Sequence, residues 1–143
     1  MQEDAKDARL LSNKGFEINL IKKRKDFLFL SKEGKVAVTP AFVLKCAKPH
    51  RSFKEDERSK PSESGIRVGY VVRKNIGNAV VRNFARRRLK EIVRFIMPNK
   101  ALTGYDYILI ARHLCVKRDF EKMKKDLIDS LKTIESEVNK NHD

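Results

Sequence analysis

Apolar positions come in short groups separated by charged stretches, and the spacing within each group predicts the elements. Residues 1–17 show no sustained period and read as a flexible N-terminal arm. Over 18–31, Ile18, Ile21, Phe27 and Leu30 stand among Lys22, Lys23, Arg24 and Lys25, the pattern of a short amphipathic helix ending near Gly34. Segments 35–39 and 41–47 (AFVLKCA) have strand composition, and Pro40 divides them into two adjacent strands. The stretch 48–65 is charged, contains Pro49 and Pro61, and has Phe53 as its only large apolar side chain, so it reads as a long loop. Strand composition resumes at 67–72 (RVGYVV), where Gly69 marks a bulge or the close approach of another backbone. A helix follows over 78–96, with Pro98 as its stop. At about 100° per residue, Phe84, Ala85, Leu89, Ile92, Val93, Phe95 and Ile96 share one face of it. Residues 105–111 (YDYILIA) read as a strand buried on both faces. Asp119 then caps a last helix, in which Phe120, Met123, Leu127, Leu131, Ile134 and Val138 repeat at three and four. Residues 139–143 form a tail. The order α-β-β-β-α-β-α predicts an α/β two-layer sandwich around one sheet, with 18–138 as a single domain.

Charge changes this picture from a fold to a binding protein. The chain has 143 residues, 33 Lys+Arg against 19 Asp+Glu and a formal net charge of +14, while 41% hydrophobic residues suffice for one modest core. From 67 to 94 it holds nine cations (Arg67, Arg73, Lys74, Arg82, Arg86, Arg87, Arg88, Lys90, Arg94) and one anion, Glu91, so +8 of the total lies in a fifth of the sequence. That concentration is a footprint for a polyanion, because each phosphate neutralised releases condensed counterions. Nucleic acid is therefore the expected partner. Arg82, Asn83, Arg86, Arg87, Lys90 and Arg94 occupy the arc opposite the apolar face, where like charges at i and i+4 repel until something outside compensates them. Arg73 and Lys74 leave the preceding strand, Gly77 permits a tight connection, and the helix begins at Asn78 with unpaired N–H groups that attract phosphate.

Other classes of function fall away. No apolar run approaches the ~20 residues that cross a bilayer, so no membrane partner is expected. The acidic start (Glu3, Asp4, Asp7) does not resemble a secretory signal, which makes the cytoplasm the expected compartment. Cys46 and Cys115 lie in apolar segments and read as packing thiols. His50, His113 and His142 are isolated, the acids are dispersed, and metal-ligand spacings, phosphate loops and nucleophile elbows are missing. No small-molecule cofactor and no catalytic side chain is expected.

The string KNIGNAVVRNFARRRLKE over 74–91 resembles the signature helix of the protein component of bacterial ribonuclease P. The resemblance extends to Lys25-Asp26-Phe27 with Gly34, to 41–44, to 67–72 and to 104–112, and spans roughly residues 18–135. It implies a ribosomal-protein-like α/β sandwich with a left-handed crossover. It implies the protein subunit of an endoribonuclease in which a catalytic RNA removes the 5′ leader of precursor tRNA, with Mg2+ held mainly by that RNA. By position, Lys74, Asn78, Arg82, Asn83, Arg86, Arg87 and Lys90 would face the catalytic RNA, beside Arg73 at the helix entry. Phe27 and Phe42 would flank a cleft for single-stranded leader, with core packing the equal alternative for Phe42. Two departures stand out. Phe84 replaces the second signature arginine, leaving substitution by Arg87 or Arg88, stacking by Phe84 or simple packing as alternatives; Ser31 stands where a second aromatic is common. A ribosomal-protein-like RNA-binding module without a processing role is the alternative function. A stand-alone metal-dependent ribonuclease would need clustered acids that the sequence lacks.

Overall fold

A computed structural model describes residues 16–49 and 65–140. A run as apolar as 107–111 is stable only where both faces are covered, and β5 (Asp106–Ala111) occupies the middle of a five-stranded mixed sheet. It pairs parallel with β4 (Gly65–Val71) and antiparallel with β3 (Phe42–Ala47). β1 (Glu17–Leu20) adds parallel to β4 and β2 (Lys35–Val38) antiparallel to β3, giving the order β1-β4-β5-β3-β2. Pro40 lies in the β2–β3 turn, where the Thr39 hydroxyl donates to the Phe42 carbonyl at 2.7 Å and accepts from the Phe42 N–H at 3.0 Å.

Three helices complete the fold: α1 (Arg24–Glu33), α2 (Ala79–Lys100) and α3 (Phe120–Lys140). Strand alternation sends Phe42, Leu44, Val68 and Leu109 to one face, where they meet Leu89 and Ile92 of α2 and Leu127 and Ile134 of α3, all fully buried. Asp119 caps α3 as the sequence predicts, accepting from the Lys122 N–H at 3.3 Å. The far face carries a smaller apolar cluster, with Ile21, Leu30 and Ile108 buried and Phe27 of α1 packed against them.

The α/β sandwich agrees with the sequence expectation, and four details differ. Residues 17–20 form a strand ahead of the first helix, which begins only at Arg24. β1 is specified by its pairing with β4, and the Ile21 N–H extends that pairing to the Val68 carbonyl at 2.9 Å; an edge strand of four residues has no period of its own to read. Helix α2 continues through Pro98 to Lys100: the proline gives up the bond to the Arg94 carbonyl and crowds it, and the last turn is held by the buried Met97, whose carbonyl accepts from the Ala101 N–H at 2.9 Å. At Gly69 the strand is regular, and what approaches is the ring of Phe27, not another backbone. The two cysteines are buried as expected, and burial pushes the thiols up, Cys46 to about 12 and Cys115 to about 11, which keeps both protonated. The expected arm and long loop fall outside the described residues over 1–15 and 50–64, as do the last three residues of the expected tail.

Candidate nucleic-acid interface

The helix entry is built by backbone conformation as much as by charge. Arg73 and Lys74 leave β4 into a single 3-10 turn, Lys74–Ile76, followed by Gly77 at φ 154°. A side chain at 77 would be strained there, and its Cβ would also stand 2.8 Å from a Val81 methyl carbon. The Asn78 carboxamide oxygen accepts from the Val81 N–H at 3.0 Å, so it serves as the N-cap of α2, and the residue is exposed. Arg82 folds back and donates to the Gly77 carbonyl at 2.9 Å, which fixes the turn and holds the guanidinium half-buried at the helix entry.

Farther along α2, Asn83, Arg87, Lys90 and Arg94 are exposed and Arg86 is half-buried, its Nη1 3.3 Å from Asn83 Oδ1. Lys90 lies 5.8 Å from the centre of the Tyr70 ring, and Arg87 lies 5.5 Å from that of Phe84. Among the described residues the ion pairs include none of these cations. The ridge therefore presents a row of guanidinium and ammonium groups whose neighbours are carbonyls, amides and rings, the state in which phosphate oxygens are the natural counter-charge.

Two members of the sequence patch do not belong to the ridge. Arg67 is 4% exposed and faces the far side of the sheet, where Asp106 and Asp26 hold it. Arg88 turns toward α3, donating to the Arg118 carbonyl and to Met123 Sδ, with its guanidinium 5.5 Å from the Phe84 ring and 5.6 Å from that of Phe120. It fastens the two helices together, whereas Arg87 stays exposed beside the Phe84 ring. Phe84 is 37% exposed, at the border between core and ridge.

The second feature is a groove of about 390 Å³ on the far face, between α1 and the ends of β4 and β5. Phe27, Leu28, Val71 and Ile110 supply apolar walls and Lys22, Arg24 and Arg73 a cationic rim. Arg73 belongs both to this groove and to a neighbouring hollow of about 270 Å³ beside Arg112 and His113, so it stands between the groove and the helix entry. Phe27 is thus a wall of a groove. Phe42 is not: its side chain is fully buried on the opposite face, among the residues under α2 and α3, and it offers no ring surface to a base. The leader-stacking reading of Phe42 is corrected to core packing, because alternation along β3 sends Phe42, Leu44 and Cys46 together to the helix-covered side. Lys22 and Arg24 were legible only as the polar side of an amphipathic segment. The sheet register that brings them beside Val71 is long-range.

Among the described residues no group of three or more His, Cys, Asp or Glu could hold a metal ion, and no helix is long and apolar enough to cross a membrane.

The fold recurs in solved structures, and the sequence matches a known family. The family model described as Ribonuclease P matches residues 17–135. The ribonuclease P protein component of Erythrobacter litoralis is 38% identical over 113 residues, covering 79% of this chain and 83% of its own. That of Paramagnetospirillum magneticum is 32% identical over 117 residues, covering 82% and 83%. Among solved structures, the ribonuclease P protein from Thermotoga maritima superimposes with a TM-score of 0.62 at 28% identity, covering 81% of this chain and 97% of that one. The Staphylococcus aureus protein gives 0.61 at 26% identity, covering 82% and 95%. The chain belongs to the ribonuclease P protein family and is a protein component of that endoribonuclease.

Proposed function

We propose that the two surfaces serve two RNAs in a cytoplasmic ribonucleoprotein: the α2 ridge grips the catalytic RNA, and the groove receives the single-stranded 5′ leader of precursor tRNA. The observation that carries this reading is Arg73, which joins a groove with apolar walls to the head of a cationic helix. On the ridge, Lys74, Asn78, Arg82, Asn83, Arg86, Arg87 and Lys90 contribute positive charge and hydrogen-bond donors to phosphates, with Arg94 extending the row. In the groove, bases of an extended strand stack on Phe27 while Lys22, Arg24 and Arg73 follow the sugar-phosphate chain. The residues 18–138 act as one RNA-binding unit.

The protein supplies position and charge, and the RNA supplies the bond-breaking step. In this reading Mg2+ is held mainly by the RNA. A cationic ridge against the RNA lowers the repulsion between phosphates, which lets the RNA fold and retain its metal ions at lower ionic strength. The test is reconstitution of the protein with the catalytic RNA and precursor tRNA at limiting magnesium. The protein alone is inactive and stimulates cleavage strongly with its RNA. Absence of stimulation overturns the reading, and enrichment of ribosomal RNA on the protein from its host would favour the ribosomal-protein-like alternative.

A further inference from the structure

Phe27 enters the groove from a helix that a buried charge cluster ties to the sheet. Arg67 of β4 clasps Asp106 of β5 side-on, Nε to Oδ1 at 2.8 Å and Nη2 to Oδ2 at 2.5 Å. Its Nη1 stands 3.6 Å from Oδ2 of Asp26, in the first turn of α1. Asp26 is 3% exposed, and this oxygen has no hydrogen-bond donor among the described residues, so the guanidinium is the charge that holds it. A buried carboxylate is costly unless paired, which makes the docking of this turn specific. Asp26 immediately precedes Phe27 in the chain, so the clamp fixes the backbone from which the ring projects.

Directly beneath the ring lies Gly69. A Cβ at this position would stand 2.5 Å from Phe27 Cε1 and 2.7 Å from Cζ, with Ile108 Cγ2 at 3.1 Å. A hydrogen is the only substituent that leaves the ring at its observed depth. What must yield to a methyl group is the far end of one side chain, so the ring moves outward while the β4–β5 pairing persists.

We propose that Gly69 and the Asp26–Arg67–Asp106 cluster are positioning residues that set the depth and tilt of the Phe27 ring in the groove, and through it the share of substrate affinity that depends on the 5′ leader. This rests on the groove reading above. The nucleotide contact is made by Phe27; the four other residues act through it.

The holoenzyme is assayed with two precursors, one carrying a long leader and one a single leader nucleotide, and the ratio of their KM values is compared among variants. Phe27→Ala is expected to reduce the leader-dependent ratio by about fivefold or more, the loss of one stacked base. Gly69→Ala is expected to reduce it comparably in the wild-type background and to leave it unchanged in the Phe27→Ala background, with kcat at saturation and the affinity for the catalytic RNA preserved. Asp26→Asn keeps the shape of the clamp and removes its charge. It is expected to act in the same direction by a smaller factor, and it carries the test if Gly69→Ala fails to fold. If Phe27→Ala leaves the ratio unchanged, the groove reading fails and the inference with it. If Phe27→Ala acts but Gly69→Ala and Asp26→Asn affect both precursors equally, or act undiminished without the ring, the groove reading stands and the inference is overturned.

Discussion

Helices α2 and α3 have 22 and 21 residues, lie against each other and cover the same face of the sheet, yet their surfaces are opposites. Over Ala79–Lys100 there are seven cations and one anion, a net +6; over Phe120–Lys140 there are five of each, a net charge of zero. On α3 the charges find partners, Lys124 with Glu121 at 3.0 Å and Asp126 with the preceding Arg118 at 2.6 Å. On α2, Arg82, Arg86, Lys90 and Arg94 follow one another at i, i+4 spacing, and each adjacent pair costs the isolated helix about a few tenths of a kcal/mol. The core asks the same of both helices, an apolar stripe. Because α3 meets that demand with a neutral surface, the excess charge of α2 is not a requirement of the fold, and the proposed RNA contact supplies a reason for it.

The largest effect is expected where the two helices are alike. Ile92→Ala removes a fully buried side chain between α2 and the sheet and should cost roughly 2 to 5 kcal/mol of stability through the cavity it leaves. Denaturant titration measures it, and a cost within about 0.5 kcal/mol of zero would mean that this face of α2 is not the core face. The next effect is expected where they differ. Arg86→Ala should leave stability within about 0.5 kcal/mol but weaken binding to the catalytic RNA by about 1 to 2 kcal/mol, with the salt slope of log K shallower by roughly one. An unchanged slope would return Arg86 to an ordinary solvated face.

This contrast also separates what could be read from the sequence from what could not. Helix α3, the buried strand β5 and the two faces of α2 follow from local periodicity, and the ridge residues come with the helix. β1 was hidden because its partner lies some fifty residues away, and Phe42 because a strand covered on both sides does not say which side a groove occupies. The groove itself was half legible: its aromatic wall was read, while Leu28 and the cationic rim came only with the sheet register. Charge was the least transparent quantity. Arg67 and Arg86 look equivalent in the string, but Asp106, 39 residues beyond Arg67, takes Arg67 into the interior, while Arg86 stays half-buried on the ridge.

The pairing of Arg67 yields a prediction with a definite sign. Burial pushes the Asp106 carboxyl above the ordinary carboxylate range; the Arg67 guanidinium opposes this and the Asp26 charge adds to it. A raised folded-state pKa means stability fully present below the unfolded value and lost as pH rises through the folded one. Measured by denaturation from about pH 3 to about pH 6, the stability of the wild type relative to Asp106→Asn should therefore decline as pH increases. A relative gain with pH would mean that the Arg67 pairing outweighs burial at this site.

The smallest expected effect is the control that sharpens the comparison of the helices. Lys132 on α3 is exposed, carries the same charge as Lys90 on α2, and differs only in belonging to a helix whose charges balance. If counter-charge from RNA were attracted by the net charge of the molecule as a whole, removing either lysine would reduce the affinity for the catalytic RNA alike. If it is attracted by a local row of cations, Lys132→Ala should change it by less than about 0.3 kcal/mol and leave the salt slope intact, since isolated exposed charges are largely screened beyond about 10 Å at ordinary ionic strength. Lys90→Ala, read in the same salt titration, should lower both. Equal losses for the two lysines would show that the helices differ in composition but not in role.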